Sequence, residues 1–215
     1  EDLWQEHAAN RMSNAMHECI SRFYENLIGR SRPFIHAVFP EIQKLFPEQL
    51  AGVDEEMFYR AVNRVEPSLI RTESDELTYS LHIMVRYQIE REMIDGTLAI
   101  ADVPVRWNAL YKEYLGVDVP SDSEGCLQDS HWAGGAIAYF PSYALGSAYG
   151  AQFLNKMQEE IGDIYADVAE GNLFRPTAWL REHIHQYAGF KKPGEILSDA
   201  FGTFDAKFFT DYLEK

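Results

Sequence analysis

The stretch MSNAMHECISRFYENLIG, residues 12–29, sets Met12, Met16, Ile20, Phe23 and Leu27 at spacings of four, four, three and four. Side chains at that period line one face of an α-helix. The spacing predicts a single long amphipathic helix ending near Gly29, with Arg11, Glu18, Arg22 and Glu25 on its other face. A chain that begins on such a helix needs further apolar faces to pack against it, and the rest of the sequence supplies them in the same period.

After Pro33, residues Ile35, Val38, Phe39, Ile42, Leu45 and Phe46 predict a second helix, which Pro40 is expected to break or kink because it lacks a backbone donor. A short helix over residues 54–63 follows. Residues 65–72 contain Pro67 and β-branched side chains and read as extended chain or a short strand. Ser74 is placed to cap the next helix, with Leu77, Leu81, Met84, Val85 and Ile89 as its buried stripe and Asp95-Gly96 as its stop. Residues 103–115 form a helix closed by Gly116, and residues 118–125 form an internal loop rich in turn formers. Gly146 and Gly150, four apart, permit a close helix crossing, and shorter helices near 177–187, 193–200 and 205–213 finish the chain. The fold expected is mainly α: one multi-helix domain over residues 1–215, with at most a short extended segment near residues 65–72.

The chain carries 34 acidic against 19 basic residues, a formal charge of −15. Following a phosphate backbone requires clustered Lys and Arg, so this balance argues against nucleic acid and against an anionic membrane surface as partners. With 46% hydrophobic residues the chain can bury a substantial core, which excludes disorder as the main reading. No window approaches the roughly 20 apolar residues of a membrane span, and no basic stretch followed by an apolar core marks secretion. Cys19 and Cys126 make neither a CxxC pair nor a disulfide framework, which points to a reducing, cytoplasmic compartment. The chain opens on Glu1-Asp2 rather than Met and is expected to be a piece of something longer.

Three segments concentrate chemistry. In the first, His17-Glu18 sits mid-helix, where a carboxylate can serve as a metal ligand; the plainer alternative is an i+4 pair of Glu18 with Arg22. The second is Ile70-Arg71-Thr72-Glu73-Ser74-Asp75. Its guanidinium is shaped to grip a carboxylate through two parallel hydrogen bonds, and the alternative is a structural pair with Asp75 or Glu73. The third, Gly125-Cys126-Leu127-Gln128-Asp129-Ser130-His131-Trp132, packs an amide, a carboxylate, an imidazole and an indole into five residues. Such groups need partners when buried, so the segment reads as a site, with an internal hydrogen-bond network as the alternative. His131 is suited to polarise a carbonyl or stabilise developing negative charge, with Asp129 or Gln128 as its orienter; Tyr139 and Tyr143, one helical turn apart, line the same cavity or belong to the core, the commoner place for tyrosines at that spacing. The sequence contains no HExxH, GxSxG, P-loop or GxGxxG motif, and His183 and His185 are read as surface residues.

In this order the segments resemble the signature motifs HES(or G)Q, (I or V)RxxAD and GxxQDxHW of the carboxypeptidase Taq family of metallocarboxypeptidases. The third motif is matched in full; in the first, Cys19 and Ile20 replace Ser and Gln, and in the second Ser74 replaces Ala. The resemblance implies a helical enzyme that removes amino acids from peptide C-termini. It also implies one divalent metal, zinc being the expected ion, held by two histidines of an HExxH and by the carboxylate matching Glu18. Arg71, Gln128 and Asp129 are then implied to bind substrate and His131 to support the transition state, and Tyr143, read as lining the same cavity, is expected to bind substrate with them. It further implies a homodimeric complete enzyme whose HExxH lies shortly before the first motif, so that this chain is the C-terminal part, inactive alone without the base and remaining ligands. The alternative is a non-catalytic helical binding module derived from that fold, toward which the loss of the amide at Ile20 leans.

Overall fold

The computed structural model describes residues 13–187 and 189–214, so Met12 of the opening stripe and Arg11 of the opposite face lie outside the described residues. Ser13 caps α1, Asn14–Arg22, by accepting from the Met16 N–H. Without a break the chain enters a π-helical turn over Phe23–Ile28. The predicted long helix is therefore present, widened in its second half. The helices that follow are α2 (Arg32–Leu45), α3 (Glu55–Val62), α4 (Glu76–Ile94), α5 (Val103–Leu115), α6 (Pro141–Ile161), α7 (Tyr165–Ala169), α8 (Phe174–His183), α9 (Pro193–Phe201) and α10 (Lys207–Leu213). Among the described residues there is no β-strand. Residues 64–70 are irregular and lead into a 3₁₀ turn at Arg71–Glu73.

Two compact units are present, residues 13–63 with 145–214, and Arg64–Ala144. In the first, Met16, Cys19, Phe23 and Leu27 pack with Phe153, Met157, Trp179, Leu180 and Ile196. Gly146 allows α6 to approach α1: a Cβ there would lie 2.7 Å from Cys19 N and 2.7 Å from the Glu18 carbonyl carbon. The close crossing expected from the glycine spacing thus falls at Gly146, whereas a Cβ at Gly150 would meet its nearest atom, Leu27 Cδ1, at 3.4 Å, an ordinary contact distance. Pro40 lies inside α2 without ending it. Pro40 and His36 are both exposed, so the His36 carbonyl that lacks its N–H partner is open to solvent and the interruption costs little.

The second unit departs furthest from the apolar pattern. In α4, Leu77 and Met84 of the expected stripe are exposed, while His82, Arg86 and Glu90 are buried beside Val85 and Ile89. The helix is capped by Asp75, whose Oδ1 accepts from the Thr78 N–H at 2.8 Å; Ser74 instead donates its hydroxyl to the Arg71 carbonyl at 2.7 Å. A period count cannot see that charged side chains four apart have partners waiting for them elsewhere in the unit.

Gly146→Ala is expected to destabilise the chain by about 1–3 kcal/mol, because the added methyl meets backbone rather than a side chain that can swing away. Urea unfolding of the two forms measures this directly as a lowered midpoint.

Candidate active site

The third motif folds as a series of turns after Gly116. Gly125 sits where a Cβ would lie 2.8 Å from Val119 Cγ1 and 3.1 Å from the Ser121 carbonyl oxygen, so the glycine lets the following residues turn back tightly. Leu127 N–H donates to the Asp122 carbonyl at 2.9 Å and Gln128 N–H to that of Gly125 at 3.1 Å. Those bonds aim Gln128 and Asp129 into the unit.

There Asp129 bridges two buried guanidinium groups. Its Oδ1 accepts from Arg71 Nε at 3.1 Å and Nη2 at 2.6 Å, and its Oδ2 accepts from Arg86 Nε at 2.7 Å. Gln128 Oε1 accepts from the Arg71 backbone N–H at 2.9 Å and from Arg86 Nη2 at 2.8 Å, while its Nε2 donates to the carbonyls of Leu69 and Glu124. Arg71 also donates to the Tyr79 hydroxyl at 2.8 Å, and its guanidinium lies 4.8 Å from the centre of the Tyr143 ring. Arg71 thus finds its ionic partner 58 residues along the chain, and not in Asp75 or Glu73.

Burial alone would raise the Asp129 carboxyl, but the Arg71 hydrogen bonds and the charges of Arg86 and Arg71 outweigh it and hold it below the usual range. Burial likewise works against the Arg71 charge, and the Asp129 and Tyr79 contacts overcome it, so the guanidinium is more firmly protonated than usual. Two cations facing one anion leave this cluster with a surplus of positive charge, the sign needed to receive a carboxylate.

His131 stands at the edge of the cluster. Its Nε2 is 3.1 Å from the Tyr143 hydroxyl and its Nδ1 is 3.9 Å from Asp129 Oδ1. Tyr139 and Phe140 complete its aromatic surround, with ring centres at 5.5 and 4.3 Å. The next residue, Trp132, donates its Nε1–H to Glu90 at 2.8 Å, and the same Glu90 oxygen accepts from the Ala138 N–H at 3.2 Å. Ala138 has φ 61°, a left-handed conformation that costs a residue with a Cβ about 1 kcal/mol or more. One buried carboxylate therefore ties both ends of the loop that follows His131. The structure brings Arg71, Gln128, Asp129, His131 and Tyr143 together in one unit. Arg86, Glu90, His82 and Tyr79 were not singled out from the sequence. The signal available for His82, Arg86 and Glu90 was their i, i+4, i+8 spacing, which puts three ionisable side chains on one face of a helix.

Glu18 belongs to the other unit. It is half-buried on α1, and its Oε2 accepts from the Ser21 hydroxyl at 3.1 Å. Arg22 is engaged by Glu25 at 2.7 Å and by Ser147 at 3.4 Å. Cys19 points into the core, where burial pushes its thiol well above the ordinary value, and Ile20 packs against the same core. Among the described residues no group of three or more His, Cys, Asp or Glu could hold a metal ion. Glu18 is one candidate donor, and a catalytic zinc takes three from protein, so the described residues do not make a metal site by themselves. His183 and His185, read as surface residues, are half-buried; His183 stacks on Trp179 at 4.1 Å between ring centres.

His82 supplies a pH-dependent test of the cluster. It is fully buried, its Nδ1 lies 3.1 Å from the Tyr111 hydroxyl, and its Nε2 has no hydrogen-bond partner. Burial and the charges of Arg86 and Arg71 lower its pKa to about 4 from the ordinary 6.5. Between those values the unfolded chain binds a proton that the folded chain refuses, so stability is lost as pH falls from 6.5 toward 4, by about 3 kcal/mol in all. Denaturation midpoints across that range should show the slope, and His82→Leu should flatten it.

The family described as carboxypeptidase Taq (M32) metallopeptidase matches residues 1–215. Carboxypeptidase 1 of Bacillus subtilis is 43% identical over 202 residues, which is 94% of this chain and 40% of that protein. Thermostable carboxypeptidase 1 of Thermus thermophilus is 40% identical over 99% of this chain and 42% of its own length. The solved M32 carboxypeptidase of Deinococcus radiodurans superposes with a TM-score of 0.89 at 44% identity, over 94% of this chain and 41% of that one. The solved carboxypeptidase of Pyrococcus furiosus gives 0.90 at 37% identity, over 94% of this chain and 41% of that one. This chain therefore spans about two-fifths of the length of the relatives it matches, and it belongs to the carboxypeptidase Taq family of metallopeptidases.

Proposed function

We propose that the chain is the C-terminal part of the catalytic domain of a metal-dependent carboxypeptidase, releasing amino acids from the C-termini of peptides. The observation that carries this reading is the pair of buried guanidinium groups sharing the single carboxylate of Asp129, beside His131 and Tyr143. A carboxypeptidase must recognise a free terminal carboxylate, and a cluster with surplus positive charge in a low-dielectric setting is the means to do so.

In this reading Arg71 receives the substrate carboxylate. Of its five N–H groups, Asp129 and Tyr79 take three. Gln128 and Asp129 fix its position, Tyr143 borders the substrate, and His131, held against the Tyr143 hydroxyl, supports negative charge developing on the scissile carbonyl. Glu18 is the ligand this chain offers to the divalent ion of the complete enzyme, with zinc as the proposed metal; when bound, such an ion supplies Lewis-acid polarisation and an activated water. The partner segment carrying HExxH supplies the other ligands and the base. The complete enzyme is proposed to be a cytoplasmic homodimer. Both cysteines of this chain are free thiols, and among the described residues no helix is long and apolar enough to cross a membrane.

The 215 residues alone are expected to show no metal-dependent release of C-terminal amino acids. Joined to an HExxH-bearing segment they should cleave peptides with a free C-terminal carboxylate and spare the corresponding amides. Arg71→Met should lower kcat/KM by about 100-fold, chiefly through KM. Equal cleavage of free and amidated peptides by the complete enzyme would overturn the role given to Arg71.

A further inference from the structure

Arg86 lies outside the three motifs, yet it is fully buried and all three of its nitrogens are engaged. Nε donates to Asp129 Oδ2 at 2.7 Å, Nη2 to Gln128 Oε1 at 2.8 Å, and Nη1 to the His82 carbonyl at 2.8 Å. The guanidinium also stacks against Trp107, 4.6 Å from its ring centre, so its plane is fixed on one face by an aromatic and at its edge by the backbone of its own helix. Gln128 and Asp129 lie outside any helix; backbone turn bonds aim them into the unit, and side-chain bonds set the rotation of their end groups.

We infer that Arg86 is a positioning residue: by gripping Asp129 Oδ2 and Gln128 Oε1 together from the rigid α4, it sets the rotation of the Asp129 carboxylate so that Oδ1 is presented to Arg71 and His131. The geometry supports this division of labour, because each carboxylate oxygen has its own guanidinium and Oδ1 alone is the oxygen 3.9 Å from His131 Nδ1. A lysine in place of Arg86 keeps the charge and loses the planar fork, so it cannot hold both neighbours in that geometry. The inference rests on the carboxypeptidase reading only for the reaction that this positioning serves.

The test is therefore made on the 215-residue chain without any peptidase assay. Among the described residues Asp129, Tyr139, Phe140 and Tyr143 lie against His131, with Arg71 bonded to the same Asp129 oxygen. If Arg86 sets the Asp129 rotation, Arg86→Lys moves the NMR titration midpoint of His131 by about half a pH unit or more, since the nearest carboxylate oxygen is no longer held in place. An unchanged midpoint in a folded Arg86→Lys chain overturns the inference. Should that variant not fold, the unsubstituted chain decides: the Arg86 Nε–H is expected to exchange with solvent at least 100-fold more slowly than that of an exposed arginine such as Arg64, and exchange at the same rate overturns the inference. Absence of peptidase activity in the complete enzyme would sink the functional reading while leaving either result intact.

Discussion

The second unit is organised by one carboxylate held between two arginines. Taking Asp129, Arg71 and Arg86 out of water is expensive, and their mutual attraction offsets that cost only if the geometry is good and the remaining donors are satisfied. Here Tyr79, Gln128, the His82 carbonyl and the Trp107 face take up those donors and the guanidinium surface. A cluster of this kind adds little net stability. It does fix where the groups of the third motif stand, because removing one member leaves an unpaired buried charge at a cost of about 3–5 kcal/mol.

That constraint explains the unusual face of α4. His82, Arg86 and Glu90 are successive turns of one helix, and each holds a different part of the unit: His82 meets Tyr111 of α5, Arg86 meets Gln128 and Asp129, and Glu90 ties Trp132 to Ala138. The helix is a rigid rail against which an irregular segment takes its shape. The strained backbone at Ala138 falls where Glu90 accepts its N–H, so the same carboxylate that orients Trp132 holds a conformation the chain would otherwise avoid.

Much of this was legible in the sequence. Helix positions followed from the period of apolar residues and from Asp95-Gly96 and Gly116, and of the two glycines four apart that permit a close crossing, Gly146 is where it falls. The concentration of polar groups at Gln128 to Trp132 reads as a site or as an internal hydrogen-bond network, and the structure shows the network, with Gln128 and Asp129 bonded to Arg71 and Arg86. What stayed hidden depends on long-range pairing. The partner of Arg71 lies far along the chain, where local spacing has no reach, and the buried face of α4 was missed because Arg86 and Glu90 look like solvent-facing residues until their partners are known. Asp75 takes the cap expected of Ser74 because the helix begins at Glu76, which puts Asp75 and not Ser74 in the N-cap position, while the Ser74 hydroxyl donates to the Arg71 carbonyl.

The account turns on the charge state and pairing of Asp129, and the most direct measurement is an NMR titration of its side-chain carboxyl carbon in the folded chain. A midpoint below 3.8, the ordinary value for aspartate, is predicted. A midpoint at or above that value would mean that burial outweighs Arg71 and Arg86, and would contradict the bridged arrangement on which the site is built.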